Sequence, residues 1–268
     1  NEVPRQLVLA DWTMVPLSRT VHRADIDVGA GLLPWLSVAA RIPFIRNEVD
    51  FATFNRTSTV DNTNLGDVEV HALVSLHETW PVRAHASFGV GIPTGSADAT
   101  GRLPDQPDES RVLPYQLQTG SGALFLVPGA YVAVENEHGT FGVQASGRVW
   151  LDDNDRQWRP GNSVNIQGHG QYRLNDWISA SVRVSFDRWD DVSGSDPSLD
   201  PEQSPMHWAF ATGGSRVDLP VGLNLLFREG TLAGHLLQAE LVVPAHTDMN
   251  GPQLGAGWGA NISWSKRF

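Results

Sequence analysis

Histidine, serine and carboxylate are the residues of this chain able to carry chemistry: 9 His, 30 Asp+Glu and no Cys. A hydrolase needs a nucleophile, a base and an orienting group that meet in space. His85 and Ser87 are two apart, so on a strand they would share a face, and His169 and Ser181 would face each other across two neighbouring segments. No G-x-S-x-G elbow accompanies either pair, so no catalytic set is assigned and the chain is read as a non-enzyme. His71, His77 and His85 lie in one stretch of hairpin length without a ligand spacing that zinc sites use, and neither metal nor cofactor is expected. Asp152-Asp153-Asn154-Asp155 has the oxygen donors calcium takes but lacks the Gly and distal Glu of a calcium loop.

The remaining charged residues gain meaning only from the elements that carry them. Net charge is −11 with a pI near 5.1, which argues against nucleic acid as a partner. No apolar run approaches the roughly 20 residues of a transmembrane helix. Asn1-Glu2-Val3-Pro4 reads as a processed, mature end. With 26 Gly, 10 Trp, 10 Phe and 41% hydrophobic residues, the composition points to β-structure. A period of two confirms that direction. From Leu254, the positions Ala256, Trp258, Ala260, Ile262 and Trp264 alternate with Gly255, Gly257, Gly259, Asn261, Ser263 and Ser265. Ile178, Ala180, Val182, Val184 and Phe186 alternate likewise with Ser179, Ser181, Arg183, Ser185 and Asp187, and 216–227 repeats the split.

About twelve such segments occur, near 4–14, 19–32, 35–46, 64–78, 82–94, 120–134, 140–151, 162–174, 177–189, 214–227, 234–245 and 253–268. They run to roughly 11–15 residues, longer than soluble strands and long enough to cross a bilayer at a tilt. Links after even-numbered segments are short (33–34, 79–81, 135–139, 175–176, 228–233), and those after odd-numbered ones are mostly long (47–63, 95–119, 152–161, 190–213, 246–252). The link near Val15–Ser18 is the exception. This parity predicts one domain over residues 1–268: an all-β, transmembrane, antiparallel up-and-down β-barrel of about 12 strands, with short periplasmic turns and long extracellular loops. It places the chain in the outer membrane of a Gram-negative bacterium. Trp35, Trp80, Trp177, Trp264 and Phe268 would form the periplasmic aromatic girdle, and Trp258 the opposite one, joined by Trp12, Phe186 and Trp189. The acidic loops, with Asp98, Asp105, Asp108 and Glu109 in one of them, read as solvated surface that either repels anionic neighbours or shares divalent cations with lipopolysaccharide.

Terminal Phe268, preceded by alternating apolar residues, resembles the C-terminal signal read by the outer-membrane barrel assembly machinery, from which Lys266 departs. Several short motifs occur in order: Gly66-Asp67, Gly91-Ile92-Pro93-Thr94-Gly95-Ser96, Leu113-Pro114-Tyr115, Gly120-Ser121-Gly122, Asp152-Asp153-Asn154-Asp155-Arg156, Asn175-Asp176-Trp177-Ile178-Ser179, Gly194-Ser195-Asp196-Pro197 and Gly251-Pro252-Gln253-Leu254. In that order and spacing, from about residue 20 to the end, the chain resembles the outer-membrane transporter family named for the MetA pathway of phenol degradation. The resemblance implies a barrel and transport, and an aromatic or hydrophobic solute only as far as the family's name is informative.

With the apolar parity toward lipid, the other parity lines the lumen: Asp25, Arg41, Asp67, Glu69, His71, Arg83, His85, Arg148, His169, Arg183, Asp187, Arg216, Asp218 and Glu240. Hairpin geometry would set Asp25 opposite Arg41 and His77 opposite Arg83. Two readings stand: a narrow channel or transporter for small solutes, or a non-conducting barrel that anchors or joins a larger outer-membrane assembly. Phe51, Phe54, Met206, Trp208 and Phe210 are either its candidate contacts with a membrane-protein partner or residues that pack inside the mouth.

Overall fold

The structure, a computed structural model, describes residues 11–266. Its strands, in chain order, are β1 Val15–Leu33, β2 Leu36–Ala52, β3 Thr57–Leu65, β4 Val68–His77, β5 Val82–Ile92, β6 Thr100–Arg102, β7 Ser110–Val112, β8 Phe125–Glu135, β9 Gly139–Trp150, β10 Trp158–Arg159, β11 Ser163–Arg173, β12 Ile178–Trp189, β13 Ser193–Gly194, β14 Gly214–Leu226, β15 His235–Met249 and β16 Gly259–Lys266. Among the described residues, helix is limited to single 3-10 turns, and no helix is long and apolar enough to cross a membrane.

One curled antiparallel sheet holds β1, β2, β4, β5, β8, β9, β11, β12, β14, β15 and β16 as successive neighbours, with β3 on the outer half of β2. Phe44–Ala52 pairs with β3, and Leu36–Arg41 with β4, so β3 and β4 are one strand line broken at Gly66-Asp67. Among the described residues the sheet thus has eleven lines where about twelve were expected. The expected strand 4–14 falls mostly on residues 1–10, outside the described residues, and residues 11–14 are turn and bend. Among the described residues, β1 pairs only with β2 and β16 only with β15.

Four boundaries differ from the sequence reading. Val15–Ser18 is strand rather than turn: Ser18 Oγ donates to Asp50 Oδ2 at 2.7 Å, and the chain absorbs Pro16 at a bulge. The expected loop 47–63 is mostly a hairpin, because Asn47, Val49 and Phe51 turn one buried face inward while Glu48 and Asp50 take the other. Strand 120–134 starts only at Phe125, since the backbone before it is held by side chains described below. Strand 253–268 starts at Gly259, where pairing with Val242 begins. Phe268 lies outside the described residues.

The wall of the sheet is inverted relative to a soluble protein. Val182 and Leu223 are 52% and 54% exposed on the convex face, while Glu69 and Asp218, on the other parity, are 4% and 5% exposed. Trp35, Trp80, Trp177 and Trp264 stand exposed at the short-turn end and Trp258 at the opposite one. Trp12 and Trp189 do not join them. Trp12 packs edge-on against Trp208 and donates to Pro201 O, and Trp189 has the inner parity of Asp187 and donates to Thr212 O. The apolar core lies at the long-loop end: Met14, Val49, Phe51, Leu103, Leu113, Leu117 and Met206 are buried together there.

Candidate functional site

Side chains reaching backbone atoms far along the chain build the cap over the mouth. At the break between β3 and β4, the Asp67 carboxylate accepts from Gly95 N at 3.0 Å, Ser121 N at 2.8 Å and Ser121 Oγ at 2.6 Å. Thr94 Oγ1 bridges the same break, accepting from Val68 N and donating to Gly66 O. Gly95 and Gly120 cross so closely that a Cβ on Gly120 would lie 2.3 Å from the carbonyl carbon of Gly95, so both positions need glycine. Asn154 Nδ2 donates to Ser121 O at 2.7 Å, and Arg156 grips Asp196 through two nitrogens. Burial alone would raise the Asp196 carboxyl, but Arg156 and Ser198 outweigh it and hold it below the usual carboxylate range. Most motifs that carried the family resemblance therefore converge on one cross-linked cap, and Asp152–Asp155 is part of it: Asp153 pairs with Arg159 at 2.5 Å. Among the described residues, no cluster of three acids or histidines could hold a metal ion.

Below the cap, the inner-face charges pair with one another. Glu69 accepts from Arg148 at 2.6 Å, reaching across β5 and β8 on the concave side, and lies 3.0 Å from His71 Nε2. Arg183 reaches Glu240 across β14 at 2.5 Å and Gln167 at 3.1 Å. Arg216 pairs with Asp218 at 2.8 Å, and Asp187 accepts from Asn165 Nδ2 at 2.8 Å. Three sequence-derived pairings shift by about one or two residues. Arg41 stands opposite Asp27, at 2.8 Å, and Asp25 opposite Pro43, because the β1–β2 turn centres on Pro34 rather than Leu33. Asp25 instead takes Arg23 at 2.7 Å and lies 4.0 Å from Arg41. His77 is opposite Ala84, since a bulge after Ser75 shifts the hairpin, and Arg83 reaches Glu135 at 3.1 Å. His169 faces Arg183, and Ser181 faces Gln171.

Sequence reasoning overlooked Tyr131. Its ring packs 4.9 Å from His85 and is stacked 5.7 Å from His169, joining two inner histidines from different hairpins. The parity of β8, with Ala133 and Glu135 also inward, was the available signal.

Two cavities lie along the inner face. One, of about 260 Å³, sits directly under the cap between Tyr115, Phe125, Trp150 and Trp158, with Glu69 and Arg148 on its wall side. The other, of about 320 Å³, is walled by amides and hydroxyls, among them Gln144, Gln167, Gln171, Asn224, Gln238 and Ser263, with the Arg183–Glu240 pair beside them. Of the amides, sequence reading placed only Asn224 on the inner face, since amides carry no charge to mark them.

No family model and no curated protein sequence matches the chain. Among solved structures, it is similar to the COG4313 outer membrane channel from Pseudomonas putida F1, at 13% identity and a TM-score of 0.61, over 90% of this chain and 80% of that one. At this identity the likeness is one of fold. The fold is that of an antiparallel outer-membrane β-barrel.

Proposed function

We propose that the chain spans the outer membrane of a Gram-negative bacterium and passes small neutral or zwitterionic solutes through a narrow lumen. The observation that supports this most is the self-pairing of the inner charges (Arg148–Glu69, Arg183–Glu240, Arg216–Asp218, Arg41–Asp27) opposite a convex face of exposed Val, Leu and Ile. Lipid favours the apolar face, and a closed ring of backbone pairing is what a bilayer demands of strands. An entering ion must compete with partners that already satisfy one another, whereas a neutral solute need not. The lining residues of this reading are Asp25, Arg41, Asp67, Glu69, His71, Arg83, His85, Arg148, His169, Arg183, Asp187, Arg216, Asp218 and Glu240. Acidic loop residues share divalent cations with lipopolysaccharide, and terminal Phe268 serves assembly.

Planar-bilayer recording with liposome swelling tests the proposal. Low conductance and swelling with neutral solutes are expected, and a large porin-like conductance would contradict the crowded lumen. A second reading, a non-conducting subunit of a larger assembly, draws on Phe54 and Phe210, which stand 72% and 66% exposed on the cap, whereas Phe51 and Met206 are buried inside it. Absence of flux for every solute would favour that reading.

A further inference from the structure

Along much of the inner face charge meets charge, but the cavity of about 320 Å³ differs in kind. Among the described residues no apolar side chain lines it, and its acid and guanidinium, Glu240 and Arg183, hold each other at 2.5 Å. Strand register assembles the rest: Gln144 stands directly opposite Gln167, and Gln171 opposite Ser181. Gly222 lies between Ser181 and Glu240 in the same register, and its missing side chain keeps the hollow open. A Cβ there would come within 2.7 Å of Glu240 Cγ. Part of the wall is fixed by its own bonds, since Gln238 Nε2 donates to Asn224 Oδ1 at 2.8 Å and Gln171 Nε2 to Ser179 Oγ at 2.6 Å. Two groups are left over. The Gln144 amide and the Ser181 hydroxyl have no hydrogen-bond partner within the protein, yet both side chains are half-buried and neither polar group is sealed from solvent.

We propose that this cavity is a binding site for a small, neutral, polyhydroxylated solute of single-ring size. The proposal deepens the channel reading above by naming its solute class, and rests on it for the solute's access. An amide offers a donor and an acceptor side by side, and a hydroxyl is both at once, so each hydroxyl of the solute answers whichever end it meets. The water that fills an all-polar cavity is displaced at little cost only by groups that reproduce its hydrogen bonds. Several hydroxyls do so, whereas an aromatic or aliphatic solute strips the water and finds no apolar wall in return. An ion fares no better, because either sign must draw Arg183 or Glu240 away from its partner. The volume lies near the lower end of ligand pockets and suits one ring rather than a chain of them.

Saturation-transfer NMR titrations of the full chain with D-glucose, phenol and acetate test this, in an amine-oxide detergent whose headgroup carries no sugar. Liposome swelling is measured with the same solutes. Saturable glucose binding is expected, with phenol much weaker and acetate undetectable. Gln144→Leu and Ser181→Ala each remove one free polar group without unmaking a side-chain bond inside the protein. Each should weaken glucose roughly three- to tenfold, the worth of one hydrogen bond. Heat-modifiable migration on gels checks that both variants fold. Phenol or acetate binding as tightly as glucose, or equal glucose affinity in wild type and both folded variants, would overturn the site. Glucose swelling without saturable binding would overturn the site and leave the channel standing. Saturable binding that weakens in both variants, without swelling by any solute, would keep the site and overturn the channel.

Discussion

The cap and the wall of this molecule are built by opposite rules. In the cap, Phe51, Leu117 and Met206 are buried and charged groups such as Asp153 and Arg159 lie toward the surface, as in a soluble protein. In the wall, the exposed residues are Val182, Leu223 and Ile262, and the buried ones are Glu69, Asp218 and Asn224. One chain therefore meets two solvents. The wall's stability comes from its backbone ladder and an apolar surroundings, while the cap's comes from core burial and side-chain bonds to backbone.

That contrast breaks if a core deletion in the cap spreads to the wall. Phe51→Ala removes a fully buried ring and should cost about 3–5 kcal/mol. Deuterium exchange should rise in 95–123 and 190–213 and stay unchanged in β9, β11 and β12. Equal acceleration in those strands would make cap and wall a single unit. Next in size is the wall itself. Val182→Arg or Leu223→Arg should cost about 2–4 kcal/mol in lipid refolding titrations, because a guanidinium then faces the hydrocarbon. Ser181→Arg, on the inner parity beside the amide-walled cavity, should cost clearly less. Equal penalties on both parities would reverse the assignment of faces.

How much of this was legible in the sequence follows the same division. Most of the wall from β1 onward was visible as alternation, because a strand with one face in each environment writes its period directly into the residues; the outer half of β2 and nearly all of β3, over 47–63, were read as loop. The inner charges were found by parity for the same reason. Their partners were missed by about one or two residues, since register depends on where a turn centres, and Pro34-Trp35 moved Arg41 from Asp25 to Asp27. The cap was not legible. Asp67 reaches Gly95 and Ser121, and Asn154 reaches Ser121, over tens of residues, and no local period encodes such bonds.

Acid should separate the two regions further. His207, buried in the cap, must donate from Nδ1 to Asp200 O at 2.8 Å, because a carbonyl only accepts. Its Nε2 is then the unprotonated nitrogen, buried and unpartnered. Burial, with Arg111 nearby, pulls the imidazole below its ordinary value, against the opposing pull of the Asp200 carbonyl and the Asp105 and Asp200 carboxylates. The unfolded cap therefore binds the extra proton first, so its stability is full above about pH 6.5 and falls as pH drops below that. The depressed Asp196 adds a second loss as pH falls below about 4, toward its lower folded value. Limited proteolysis of the loops should accelerate in those two steps while the barrel keeps its gel mobility. His207→Gln should remove the first step, and a first step that survives the substitution would assign it to another group.

The smallest expected effect on stability is in the lumen, and there the readout is electrical. Arg41 is 41% exposed and its partner Asp27 57%, so their ion pair is worth no more than about 1 kcal/mol. Arg41→Gln should leave refolding nearly unchanged. It also frees Asp27, which lies on the inner parity of β1, and leaves the wall locally negative. Current through the variant should then shift toward cations, seen as a changed reversal potential in a salt gradient. Arg83→Gln, which frees Glu135, should shift it the same way, and Glu240→Gln, which frees Arg183, the opposite way. The opposed signs are what make the test sharp: a general loosening of the barrel would move all three in one direction. If all three variants keep the wild-type reversal potential, these side chains do not line the conducting path, and the pathway must run along another part of the inner face.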